Sequence, residues 1–161
     1  HAVAASKHMK DIRLTLAGTG PQQQKLAALA DDLGGNAEIG RVSDERLKAL
    51  YQTADLFVQT SAVELEGMSV LEAMAAGCPV LVNNSSTSAV PEFVTAQEAT
   101  YAMNDVAELT SKLDAMLDSQ AVRAAAGVEN RAVARRRHHE RSTQALAELY
   151  AGVLSVAASG S

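Results

Sequence analysis

Tryptophan is absent from this chain of 161 residues, and two Phe and three Tyr are all the aromatics it has, so no large aromatic core can be built. The apolar volume has to come from Ala, Leu and Val, which suits layers of helix on sheet. A single cysteine, Cys78, excludes an internal disulfide and a cysteine metal cluster, and makes a reducing, cytoplasmic setting the expectation. Lodged between Gly77 and Pro79 with no neighbouring His or base in sequence, it reads as packing and not as a reactive thiol. No apolar run is long enough to cross a bilayer, and no signal-peptide pattern heads the chain. Cations are missing from the whole middle: no Lys or Arg occurs from Ala49 through Ser111, while Asp55, Glu64, Glu66, Glu72, Glu92, Glu98, Asp105 and Glu108 all lie there. With a net charge of −5, this argues against nucleic acid, whose phosphates need clustered Lys and Arg.

What is present is enough apolar sequence, 47% of the chain, for one α/β domain, expected over residues 1–156 with 157–161 as a flexible tail. The chain is organised around residues 61–84, SAVELEGMSVLEAMAAGCPVLVNN. Good helix formers run from Met68 to Ala76, with Gly67 before them and Gly77 after them as the expected left-handed cap. Residues 55–59 read as a buried strand and 79–82 as the next one, a strand, loop, helix, strand unit that joins parallel strands.

That unit decides where two carboxylates go. Glu64 falls in a loop at the carboxyl end of a strand, where open α/β sheets place their ligand crevice. Glu72, on the second helical turn, leans toward the same helix N-terminus. Flanked by Leu71 and Ala73 in a nearly apolar helix, it is expected to be buried with a partner, whereas Glu64 taken alone reads as solvated twice as readily as functional. Between them the N–H groups of Gly67, Met68 and Ser69 have no acceptor inside the helix and form an anion site.

The rest of the chain supplies supporting features. Residues 12–17 alternate into a strand that ends in Gly18-Thr19-Gly20-Pro21, a turn into a helix expected to run through Leu33. A lone Gly-x-Gly is first of all a tight turn. A short strand at 37–39 leads to Gly40-Arg41-Val42-Ser43, with Ser43 as cap of the following helix, and Arg41 reads equally as a surface residue or a contact. The run Asn83-Asn84-Ser85-Ser86-Thr87-Ser88 before Pro91-Glu92 describes a loop rich in hydrogen-bonding groups. A last strand near 100–103 precedes Asn104, a candidate cap for the helix of Val106, Leu109, Leu113 and Met116. The basic run from Arg135 to His139 reads as a solvated helical face, and His138-His139 lacks the spacing for a metal. No internal repeat is present.

Glu64, seven residues, Glu72 and then AMAAGCPV, together with LAGTGP, the Gly-x-Val turn and the Pro-Glu pair, resemble the family-4 retaining glycosyltransferases of the GT-B fold. The resemblance covers most of the chain from Leu14 to Leu149. It implies a Rossmann-like, doubly wound parallel sheet with helices on both faces: a GT-B C-terminal domain lacking its first strand, with the N-terminal acceptor domain missing. By the resemblance, Glu64 lies near the reacting sugar and Glu72 holds the ribose. Gly67, Met68 and Ser69 face the diphosphate, Gly18 and Gly20 let the backbone pass close to the donor, Arg41 and Val42 lie beside the base, and Ser88 lines the donor together with Asn83, Ser86 and Thr87. The implied co-substrate is a nucleotide-diphosphate sugar, UDP among the candidates, in glycan or glycolipid biosynthesis, with no metal and no other cofactor. A peripheral membrane contact of the longer protein also follows from the resemblance. Two departures stand out. The Arg and Lys that neutralise the diphosphate have no counterpart in residues 2–10, and Glu66 takes the place of an aromatic residue. Helix dipoles worth about 1 kcal/mol each do not compensate a diphosphate, so either a longer chain brings the cations or this one does not turn substrate over. A nucleotide-binding or interaction domain without turnover, and an epimerase-like GT-B domain, remain as rivals.

Overall fold

The computed structural model describes residues 1–31, 33–94, 96–137, 143–144 and 146–151. After a short helix α1 (Ala2–Ala5), strand β1 (Leu14–Ala17) pairs in parallel with β2 (Ala37–Gly40), and helix α2 (Gln23–Asp31) forms their crossover. Helix α3 (Asp44–Thr53) leads to β3 (Phe57–Gln59), and α4 (Met68–Ala76) carries the chain on to β4 (Val80–Asn83). Two 3-10 turns then precede β5 (Thr100–Tyr101), followed by α5 (Val106–Asp118) and α6 (Gln120–Arg136). The strands are bonded as two parallel ladders, β1-β2 and β3-β4-β5, with Val80 opposite Phe57 and Val82 opposite Thr100.

The core is built on β4, all four of whose residues are buried. Because side chains alternate across a strand, Val80 and Val82 enter one cluster with Val70, Ala73 and Met74 of α4, and with Val90, Phe93 and Val94. Leu81 points the other way and meets Tyr101 and Leu113, with Val3, Ile12, Leu109 and Leu117 packed around them. Helices therefore cover both faces, α4 and α6 on one and α1 and α5 on the other, as the α/β expectation requires. By contrast α2 and α3 bury no residue fully, and β1 and β2 are half-buried to exposed.

The helix ends follow local chemistry. Ser43 caps α3 by accepting the Arg46 N–H, and Gly77 ends α4 in the left-handed conformation, both as expected. Two expectations shift. The helix expected to reach Leu33 is described over Gln23–Asp31, and Leu33 itself lies in a turn in which Gly34 and Gly35 take positive φ. The cap of α5 is Asp105 and not Asn104: the Asp105 carboxylate accepts the Glu108 N–H at 2.8 Å, while Asn104, with φ 65°, turns the chain into position. Arg131, placed on a solvated face by spacing, is exposed yet lays its guanidinium against Gly77. His138, His139 and the 156/157 boundary lie outside the described residues.

Candidate active site

The loops that follow the parallel strands are where the sequence places its candidates, and the structure brings them together in two groups. In the first, the Gly18 N–H donates to the Gly40 carbonyl at 2.8 Å, so the turn after β1, with Gly18 and Gly20, sits beside the turn after β2, with Arg41 and Val42. Gly18 and Gly20 are exposed and have open space where a side chain would be. Arg41, Val42 and the first residues of α3 line a surface concavity. In the second, Gly67 is the N-cap of α4 with φ 67° and no side-chain cap, so the opening N–H groups are left to whatever approaches. A Cβ on Gly67 would lie 2.7 Å from Val90 and 2.9 Å from Phe93, so that turn is pressed against the core. Met68 is 54% exposed and Ser69 half-buried.

Glu64 is held from three directions. Its backbone pairs with the 83–90 loop: the Ala89 N–H donates to the Glu64 carbonyl at 2.8 Å, in a parallel bridge with Ser88. Its carboxylate accepts from Gln59 Nε2 at 3.2 Å, while Gln59 Oε1 accepts the Ser61 N–H at 3.3 Å. The loop itself is pinned by Asn83, which donates to the Ser61 carbonyl at 2.7 Å, and by Ser85 and Thr87, whose hydroxyls donate to the Ala62 carbonyl at 2.6 and 2.8 Å. The polar loop expected to face a ligand therefore spends Asn83 and Thr87 on the Glu64 loop. Ser88 Oγ accepts the Val90 N–H at 3.3 Å, leaving its O–H to donate. Ser86 is exposed.

Glu72 departs from the expectation of burial. Val70, Ala73 and Met74 take the core face of α4, which turns Glu72 outward so that it is exposed. The expected partner is there nonetheless: Tyr51 of α3 donates its hydroxyl to Glu72 Oε2 at 3.3 Å. Burial, and then the Glu72 carboxylate, push the Tyr51 phenol up to about 12, so it is a hydrogen-bond donor at any neutral pH. Tyr51 reads from sequence only as part of an apolar stripe, and Gln59 escapes the motif reading altogether. The one signal for Gln59 is a polar residue ending the otherwise apolar run Leu56-Phe57-Val58. Arg137 is also more than a surface charge. It stacks over Phe93, 4.8 Å from the ring centroid, and donates to the Glu92 carbonyl at 3.3 Å, which sets a cation behind the ring that packs on Gly67. Among the described residues no group of three or more His, Cys, Asp or Glu is placed to hold a metal ion.

The sequence model of the family described as glycosyl transferases group 1 matches residues 1–133. The chain belongs to that family. Among relatives of this group 1 chain, an uncharacterised glycosyltransferase of Methanocaldococcus jannaschii is 40% identical over 75 residues, 45% of this chain and 19% of its own length. The mannosylfructose-phosphate synthase of Agrobacterium fabrum is 35% identical over 82 residues, 51% of this chain and 17% of its own. The group 1 chain thus spans about a fifth of the length of these curated relatives. The crystal structure of the catalytic domain of cholesterol-alpha-glucosyltransferase from Helicobacter pylori superposes with a TM-score of 0.80 at 33% identity, covering 85% of this chain and 86% of that one. The fold is that of a GT-B glycosyltransferase.

Proposed function

We propose that this chain is the donor-binding, C-terminal domain of a family-4 retaining glycosyltransferase, which moves a hexose from a nucleotide-diphosphate sugar to a hydroxyl acceptor in glycan or glycolipid synthesis. The supporting observation is the uncapped N-terminus of α4, lying between the tethered Glu64 loop and Glu72. In this reading the N–H groups of Gly67, Met68 and Ser69 receive the diphosphate. Glu72, oriented by Tyr51, accepts from the ribose hydroxyls. Glu64 stands beside the transferred sugar and stabilises its oxocarbenium character, Ser88 donates to the donor from the adjoining loop, and Gly18, Gly20, Arg41 and Val42 border the diphosphate and base. The break between the two ladders supports a further strand between β1 and β3 in a longer protein, bringing the cations that residues 49–111 lack. No metal takes part, and the acceptor is held by a domain outside this sequence. The likeness to an alpha-glucosyltransferase supports a hexose as the transferred sugar.

Calorimetry of the chain with UDP, GDP and ADP tests donor binding. One of them is expected to bind, and Glu72→Ala is expected to weaken it about tenfold or more, as the loss of a charge-assisted hydrogen bond requires. Absence of binding by this chain and by the longer protein alike removes this reading and leaves an interaction domain. Turnover and anomeric configuration are then read on the longer protein by NMR of the product. A binding domain without turnover is the second reading for the chain by itself, favoured by the run of eight acids without a Lys or Arg between residues 49 and 111.

A further inference from the structure

We propose that Gln59 is a positioning residue for Glu64, a role that rests on the reading of Glu64 as the carboxylate beside the transferred sugar. Gln59 ends β3 with its side chain buried, 8% exposed, at the base of the loop that carries Glu64. Both ends of its carboxamide are used: Nε2 donates to Glu64 Oε2, and Oε1 accepts the Ser61 N–H. The amide therefore spans the loop, tying the Ser61 backbone and the Glu64 carboxylate to one rigid group. Its backbone is fixed as well, since the Gln59 carbonyl accepts the buried Tyr101 hydroxyl at 3.2 Å, and Asn83, rooted in β4, donates to the next carbonyl but one, that of Ser61, at 2.7 Å. A carboxylate on a loop with exposed neighbours such as Val63, Leu65 and Glu66 would otherwise sample several rotamers. Losing that freedom before substrate arrives is what preorganisation means. Only Gln meets the geometry here. Leu keeps the volume but neither bond, and Glu keeps the Ser61 acceptor while setting a like charge against Glu64.

The test has an arm on this chain and an arm on the longer enzyme. In the isolated chain, the Gln59 side-chain amide protons are followed by 15N NMR. Glu64→Ala is expected to shift them and speed their exchange with water, and an unmoved signal overturns the clamp whether or not any nucleotide binds. In the longer enzyme, Gln59→Leu is expected to lower kcat by about 30-fold, within the range of a displaced catalytic group, with donor KM changed less than about threefold because the phosphate and ribose contacts are untouched. Gln59→Glu, a near-isostere that covers the case of a poorly folding Leu variant, is expected to lose more. Asn83→Ala loosens the same loop without touching the carboxylate and serves as the comparison. An unchanged kcat in both Gln59 variants, or a fall in Asn83→Ala as large as theirs, overturns positioning by Gln59. A longer protein that binds no nucleotide overturns the donor-domain reading instead, and the NMR arm still decides the clamp.

Discussion

At Gly67 two demands fall on one residue. Its φ of 67° is left-handed, and the space a side chain would fill is already taken by Val90 and Phe93. Gly67→Ala therefore has to strain the backbone and displace the core, and a loss of about 1–3 kcal/mol is expected from the conformation alone, read as a lowered urea midpoint. Cys78 is a second residue whose surroundings set its chemistry. Burial pushes its thiol up to about 11, with the Ala54 carbonyl as its hydrogen-bond acceptor at 3.6 Å. Because the thiolate forms more easily in the unfolded chain, near the ordinary value of 9.0, stability is retained below that pH and falls as pH rises toward 11. Thermal midpoints between pH 8 and 10.5 are expected to drop in the wild type and to drop less in Cys78→Ala, apart from that variant's lower starting stability. At pH 8 a thiol reagent is expected to react only on unfolding.

Among the elements, α4 is the most legible in the sequence. Its two glycines mark both ends, and its bounds, Met68 to Ala76, are those expected. What the pattern does not carry is which face Glu72 takes, since burial of positions 70, 73 and 74 is decided by β4 and the turn at Val90. The 83–88 loop shows the same limit from the other side. Its hydroxyls and amides read as ligand lining, but Asn83, Ser85 and Thr87 turn inward to the carbonyls of Ser61 and Ala62. Composition shows that such a loop makes hydrogen bonds, not with whom. Helix α6 adds a contact no periodicity announces. Gly127 lies so close to Gly77 that a Cβ would collide with the Gly77 carbonyl, and Asn130 donates to the Cys78 carbonyl at 2.8 Å. Gly127→Val is expected to part α4 from α6 and lower the thermal midpoint by several degrees, consistent with about 1–3 kcal/mol for overpacking. Ser43→Ala, which removes the α3 cap and the hydroxyl's hydrogen bond to Glu45, is expected to cost about 1 kcal/mol.

Across the whole molecule, packing is uneven. The clusters on either face of β4 hold the fully buried side chains, whereas α2 buries none and leaves Leu26 and Leu29 about 40% exposed. Parallel sheets are normally covered on both faces, so the β1-β2 ladder is the less secured part. Amide hydrogen exchange is expected to be fastest in α2 and β2 and slowest in β4 and the inner face of α4, separated by the local opening energies of the two regions. Equal protection in both would contradict this ordering. The two groups of candidate residues divide along the same line: Gly18 to Val42 lie on the less secured ladder, while Glu64 and α4 lie on the packed one. Tyr51, reaching from α3 to Glu72, is a link between them.

The order of the strands, the parallel α/β class and the glycine and serine ends of α3 and α4 followed from the sequence alone, because periodicity, Gly, Pro and short capping side chains act within a few residues of where they stand, whereas the Asp105 cap of α5 and the break between α5 and α6 at Ser119 did not. Which carboxylate would be gripped, by what, and which polar groups would be used up inside the protein was settled only when strands distant in the chain came side by side. Tyr51 meets Glu72 and Arg137 covers Phe93 because burial of Val70, Met74, Val80 and Val82 fixes the elements that carry them, and Gln59 meets Glu64, five residues on, because Asn83, Ser85 and Thr87 of the neighbouring strand and loop fold the segment between them back. Hydrogen bonds over such distances have no local pattern to announce them, since they arise from the packing that brings the groups within reach.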